Sequence, residues 1–163
     1  MSHTLTDAEV QDRLWKAIED HNTGMLGLTH GKHHFQPMTA FVERDTGTLW
    51  FFTKRDSDLA RDVAAGADAA FIFQDRKLHT CMDGRITAVD DRERIDRFWN
   101  VHVAAWYPDG KDDPSLTLLR LDVNEAAVWL TEAGPIRYAF EVARANLGGT
   151  TPDIGERRDV NVH

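Results

Sequence analysis

The segment Trp50-Phe51-Phe52-Thr53-Lys54-Arg55-Asp56-Ser57 runs from an apolar stretch into hydroxyls and cations, then into a helix-like run for which Ser57 is the cap. Backbone amides after Ser57, the Thr53 and Ser57 hydroxyls, and Lys54 or Arg55 are the kinds of group that hold a terminal phosphate. The same residue types also serve plain capping and solvation where a strand meets a helix, and the segment alone does not separate the two readings. A second candidate is Trp106-Tyr107 before Pro108-Asp109-Gly110. A large aromatic at a helix end beside a rigid turn can cover a flat ring system, or simply pack in a core or a dimer contact.

Other chemistry is poorly represented. His30, His33 and His34 invite a metal, but adjacent strand residues point to opposite faces, so His33 and His34 do not share one ion. A polar cluster flanking a turn is the expectation there. Cys81 lies in a strand-like run with no histidine tied to it by spacing, which reads as a small buried thiol. The sequence has no G-x-G-x-x-G after a strand, no G-x-x-x-x-G-K, no G-x-S-x-G and no C-x-x-C. No residue identifies itself as a general acid or base. A phosphate pocket with aromatic walls suits a flat heterocycle carrying a phosphate tail, and FMN has that shape.

The elements that must position these residues follow from periodicity and punctuation. Thr6 with Glu9 three residues on forms a capping box, and Val10, Leu14, Ala17, Ile18 and His21 share one face of the helix it starts. Strand-like runs follow at Met25 to Thr29, His33 to Val42, Thr48 to Thr53, Ala69 to Gln74 and Leu78 to Val89. Gly31-Lys32, Asp45-Thr46-Gly47 and Gln74-Asp75-Arg76-Lys77 separate neighbours by distances that suit antiparallel connections. A short helix capped by Ser57 and ended by Gly66 interrupts the series, with Leu59 and Val63 on one face. Asp90-Asp91 starts a helix expected to carry Ile95, Phe98, Trp99 and His102 on its inner face. Two more strands, Leu116 to Asp122 and Ala126 to Leu130, precede a helix over Ile136 to Asn146 and a polar tail expected to pack late or against a partner.

The whole is one domain, 1–163, because 163 residues with 42% hydrophobic content and five tryptophans support one sizeable core. A formal charge of −8 without a segregated basic face argues against nucleic acid. No apolar run reaches the ~20 residues of a membrane span. With a single cysteine and no apolar signal core near Met1, the expected compartment is the cytoplasm.

Several segments together resemble the general stress proteins of the pyridoxamine phosphate oxidase-like superfamily. They are Gln36-Pro37-Met38, Leu49 to Thr53 through Asp56-Ser57, and, most specific, Ala105-Trp106-Tyr107-Pro108-Asp109-Gly110-Lys111-Asp112-Asp113-Pro114. Asp83-Gly84-Arg85, Ile95 to Asn100, Leu118 to Leu121 and the closing Gly148 to Gly155 segment extend the likeness over nearly the whole chain. Gln36 and Leu59 stand where such proteins usually carry an arginine and a lysine.

The resemblance implies a mainly β (α+β) fold: a six-stranded antiparallel split β-barrel of Greek-key type with flanking helices. It implies a homodimer with FMN at the subunit interface. Gln36, Pro37, Met38 and Thr39 would line the flavin ring; Phe52, Thr53, Lys54, Arg55 and Ser57 would form the phosphate region; Trp106 would be contributed by the partner subunit. The closing Arg157 to His163 sequence does not resemble the oxidase's own closing motif, so vitamin B6 synthesis is not assigned. The leading expectation is an FMN-dependent oxidoreductase acting on an unidentified small-molecule substrate or electron donor. The alternative is a non-catalytic flavin-binding or flavin-sensing stress protein. Haem on the same fold, ranked last, would need His79, His102 or His163 as axial ligand.

Overall fold

Thr6 caps the first helix as its sequence requires. In a computed structural model, which describes residues 4–131, 135–149 and 156–163, its hydroxyl accepts from the Glu9 amide and the Glu9 carboxylate accepts from the Thr6 amide. The helix, α1 (Asp7–Asp20), buries Val10, Leu14, Trp15 and Ile18 and closes one side of the main core.

The strands are β1 (Thr23–Leu28), β2 (Gln36–Thr39), β3 (Phe41–Glu43), β4 (Thr48–Lys54), β5 (Ala67–Gln74), β6 (Leu78–Val89), β7 (Leu116–Leu130) and β8 (Glu156–Asn161). All pair antiparallel in the order β2-β1-β5-β6-β7-β4-β3, with β8 also on β7. The two ends of that order, β2 and β3, are separated in sequence by Ala40 alone, so the curled sheet is drawn towards closure by the chain itself. The fold is mainly β and split-barrel in kind, with eight strands rather than six.

Three changes, two that add a strand and one that removes one, take the seven strand-like runs of the sequence to these eight. The run from His33 to Val42 divides because the chain changes partner at Ala40: its amide ends the pairing with β1 by donating to the Asn22 carbonyl at 2.8 Å, and Phe41 then pairs with Trp50 of β4. The runs 116–122 and 126–130 are one strand, because Asn124 is accommodated as a bulge: Asp83 pairs with Glu125 while Gly84 pairs with Val123. At that bulge β7 passes its far edge from β4, which pairs up to Asp122, to β8, which pairs from Glu125. The polar tail is therefore a strand of this sheet. Positions 150–155 of the closing family segment lie outside the described residues.

The helices are α2 (Asp58–Val63), α3 (Arg92–Phe98), α4 (Val101–Ala104) and α5 (Pro135–Gly148). The single helix expected after Asp91 breaks at Trp99-Asn100, since Trp99 is extended and the Asn100 side chain caps α4 by accepting from the Val103 amide at 2.9 Å. That break places α4 over a second apolar cluster built on Trp50, Ile95, Val103, Tyr107, Leu116 and Leu118.

Helix α2 ends in a turn in which Gly66 N–H donates to the Val63 carbonyl at 2.8 Å and Ala64 sits at φ 45°, ψ −117°. Positive φ at the second turn position suits glycine and strains alanine by ~1–3 kcal/mol. Ala64 is exposed, so nothing else opposes its replacement. Ala64→Gly is expected to raise stability by roughly 1 kcal/mol after the greater freedom of the unfolded chain is subtracted, which is a few degrees in a thermal melt. A lower melting temperature would contradict this account of the turn.

Candidate functional site

A cavity of about 890 Å³ opens where three segments meet. One wall is Pro37, Met38 and Thr39 of β2 with Phe41 of β3. The second is Phe52, Thr53 and Lys54 at the end of β4, continuing into Asp56 and Ser57. The third comes from α4 and its flanks: Asn100, His102, Val103, Trp106 and Tyr107, with Asn22 from the α1–β1 connection completing the lining.

Local sequence explains each wall. Ser57 is the N-cap of α2, its hydroxyl accepting from the Ala60 amide at 3.1 Å, and it lies 3.2 Å from the Thr53 hydroxyl. The aromatic side is held by edge and tilted ring contacts: Phe41 to Phe52 at 5.5 Å, Phe52 to Trp99 at 6.0 Å and Trp99 to Tyr107 at 6.2 Å between centroids. Tyr107 is buried, and burial beside the Asp113 carboxylate pushes its phenol up to about 12, so it stays neutral through the physiological range. Trp106 differs from its neighbour in being 71% exposed, an uncovered indole at the cavity rim.

Of the residues singled out in the sequence, Pro37, Met38, Thr39, Phe52, Thr53, Lys54, Ser57 and Trp106 line this one cavity. Trp106 does so in its own chain. Gln36 and Arg55 are not in the lining. Gln36 pairs with Leu26, whose side chain is in the core, and it lines a separate small cavity with His33, Leu59 and Asp62. Arg55 is turned to Asp90 at 2.7 Å and to the Pro114 carbonyl at 3.1 Å. Leu59, 7% exposed, belongs to the main core.

The sequence does not single out Asn22, Phe41 or Asn100 as cofactor contacts, and it singles out His102 only as an axial ligand for haem. Asn100 carried a readable signal, as an N-cap residue inside a supposed continuous helix. Asn22 carried none: it lies just before β1, and its carbonyl accepts from the Ala40 amide at the end of the β1–β2 pairing.

The other clusters behave locally. His33 Nδ1 lies 2.5 Å from Asp62 and its Nε2 3.7 Å from Asp58, tying the β1–β2 connection to α2. Among the described residues no group of three His, Cys, Asp or Glu side chains is arranged to hold a metal ion. Burial, with Asp83 nearby, pushes the Cys81 thiol up, which disfavours a nucleophilic thiolate. Of the three histidines considered for haem, only His102 reaches the cavity. No described helix is long and apolar enough to cross a membrane.

The comparisons with known proteins agree with this architecture. A family model described as pyridoxamine 5'-phosphate oxidase like matches residues 9–153. A protein described as general stress protein 26 from Jannaschia sp. CCS1 superposes with a TM-score of 0.80 at 34% identity, over 96% of this chain and 99% of its own. The general stress FMN/FAD binding protein of Xanthomonas citri gives 0.72 at 40% identity, over 78% of this chain and 92% of its own. A general stress family protein of Xanthomonas campestris gives 0.73 at 39%, over 80% and 93%. No curated protein matches the sequence. The matched span covers β1 to β7 and every wall of the cavity, and the chain belongs to the pyridoxamine 5'-phosphate oxidase-like family.

Proposed function

We propose that this protein binds a flavin, FMN, in the 890 Å³ cavity and works as a cytoplasmic flavin-dependent oxidoreductase. The observation that supports it most is the composition of that cavity. Its volume lies within the ~300–1,000 Å³ of small-molecule sites, and one aromatic wall faces a set of hydrogen-bonding side chains. A relative at 40% identity is described as FMN/FAD binding.

When bound, the flavin supplies hydride or electron transfer, and the protein supplies binding, orientation and exclusion of water. Trp106, Phe52 and Tyr107 offer ring surface, while Asn22, Thr39, Thr53, Ser57 and Asn100 offer neutral donors and acceptors. His102, Lys54 and Asp56 are the imidazole, ammonium and carboxylate groups of the lining.

A homodimer accompanies this reading. Val101 and Trp106 are 79% and 71% exposed beside the cavity. Pro37, in its lining, starts a row of cross-strand partners with Met25, Ile72, Cys81 and Ala127, of which Met25 and Ile72 are exposed. A second copy would cover this apolar surface and enclose the flavin between subunits.

The absorption spectrum of the freshly purified protein tests the cofactor, and light scattering the dimer. Colourless protein that takes up no added FMN would refute the reading. Trp106→Ala is expected to weaken FMN binding about two- to tenfold, the worth of one aromatic contact. Fluorescence titration measures it, and equal affinities would leave Trp106 as surface. NADH or NADPH oxidation by the holoprotein separates an oxidoreductase from a flavin-sensing protein.

A further inference from the structure

The charges in the cavity are balanced. Among its lining residues Lys54 is the ammonium and Asp56 the carboxylate; the two are separated by one residue on the turn from β4 into α2, and both side chains are exposed. The cation between them is committed elsewhere. Arg55 is paired with Asp90 and the Pro114 carbonyl. Lys54 itself faces Asp113, whose carboxyl is held below the ordinary range first by the Ser115 hydroxyl and amide and, to a lesser degree, by the charge of Lys54. The hydroxyls of Thr53 and Ser57 lie within hydrogen-bonding distance of each other, and Ser57 already accepts from Ala60. With six residues, α2 is too short for its dipole to form an anion site of its own.

A phosphomonoester, carrying close to two negative charges at neutral pH, would meet Lys54 and Asp56 together. Their contributions oppose one another. Apart from the His102 imidazole on α4, the remaining polar groups of the cavity are mainly neutral amides and hydroxyls, whose chemistry fits a hydroxylated chain rather than a dianion.

We propose that Asp56 is a selectivity residue that offsets Lys54, so that the site takes a flavin by its ring and hydroxylated side chain, and a terminal phosphate adds little. This rests on the flavin reading above. Riboflavin is then a ligand of nearly the same affinity as FMN.

The test titrates riboflavin and FMN against the full-length protein, Asp56→Asn and Asp56→Ala by calorimetry, at low and high salt. In the natural protein the two affinities are expected to agree within about fivefold, the reach of one exposed ion pair, and FMN binding to depend little on salt. Both variants should tighten FMN roughly two- to fivefold at low salt, leave riboflavin unchanged, and lose the gain at high salt. Asp56 has no ion pair or hydrogen bond among the described residues, so both variants should melt as the natural protein does. A natural protein that prefers FMN over riboflavin by more than roughly 30-fold would overturn the proposal, since one exposed pair cannot supply that ratio. Variants that shift both ligands equally, or neither, would overturn it too. Failure of both flavins to bind the natural protein would instead bring down the flavin reading, and this proposal with it.

Discussion

Replacing Gly84 with alanine is expected to leave little folded protein at ordinary temperatures. A Cβ built on Gly84 would lie 2.0 Å from the Asp122 carbonyl oxygen and 2.8 Å from its carbon, both backbone atoms of the neighbouring strand. No side-chain rotation relieves such a contact, so β6 and β7 would have to separate where both run through the middle of the sheet. Overpacking a core against side chains costs ~1–3 kcal/mol, and a backbone collision belongs above that range. The bulge at Asn124 explains the approach, since the extra residue throws the β7 backbone across Gly84. Circular dichroism melts of Gly84→Ala should show a fall above about 10 °C, or no cooperative transition at all. A melt within two or three degrees of the natural protein would mean that the β6–β7 register differs from the one described.

Glu43→Ala is expected to have the next largest effect. Glu43 is 4% exposed and is held by Arg94 through Nε at 3.1 Å and a terminal nitrogen at 3.3 Å, by Arg97 at 3.2 Å and by the Thr46 hydroxyl at 2.7 Å. Arg94 also stands over one face of the Trp50 ring, with Arg120 close to the same ring. Removing the carboxylate leaves two guanidinium groups facing each other and uncouples Arg94 from the aromatic cluster beneath α3. Breaking a buried pair costs ~3–5 kcal/mol, and because Arg94 and Arg97 are partly exposed the lower end of that range applies, about 6–12 °C in melting temperature.

The pH dependence follows from the same contacts. The hydrogen bond from Arg94 chiefly, against the opposing cost of burial, and then Thr46 and the arginine charges hold the Glu43 carboxyl below its ordinary 4.5. A carboxyl depressed in the folded state stabilises the protein fully above 4.5, and that contribution disappears as pH falls through the lowered folded value. The stability gap between the natural protein and Glu43→Gln should therefore be constant near neutrality and narrow on acidification below about 4.5. A gap independent of pH would show that Glu43 acts through shape and not charge.

Among the basic residues near the cavity, the tertiary structure reverses a natural expectation. Arg55 sits in the middle of the Thr53 to Ser57 segment and looks like a phosphate ligand, yet the adjacent Pro114 carbonyl and Asp90 take its guanidinium. Those partners lie 59 and 35 residues away in sequence, beyond any reading of local spacing. Gln36 leaves the lining for a different reason. It is the first residue of β2, and it lines the separate small cavity with His33, Leu59 and Asp62, whereas Pro37, Met38 and Thr39 farther along the strand line the large one.

What the sequence determined by itself is the set of features whose energetics are local. The Thr6 to Glu9 capping box, the Ser57 cap, the ends of β6 at Leu78 and Val89 and the turn at Asp45-Thr46-Gly47 are all found where their residues place them. Each depends on hydrogen bonds or backbone angles within a few residues, which the residue types specify directly. The tertiary structure alone decided where β2 ends, that β7 runs unbroken past Asn124, that the polar tail becomes β8, and that Asn22, Asn100 and His102 join Thr53 and Trp106 around one cavity. These depend on strand register and on hydrogen bonds between distant segments. A shift of one residue in pairing exchanges the two faces of a strand, so cavity membership is a property of the assembled sheet and not of any one segment.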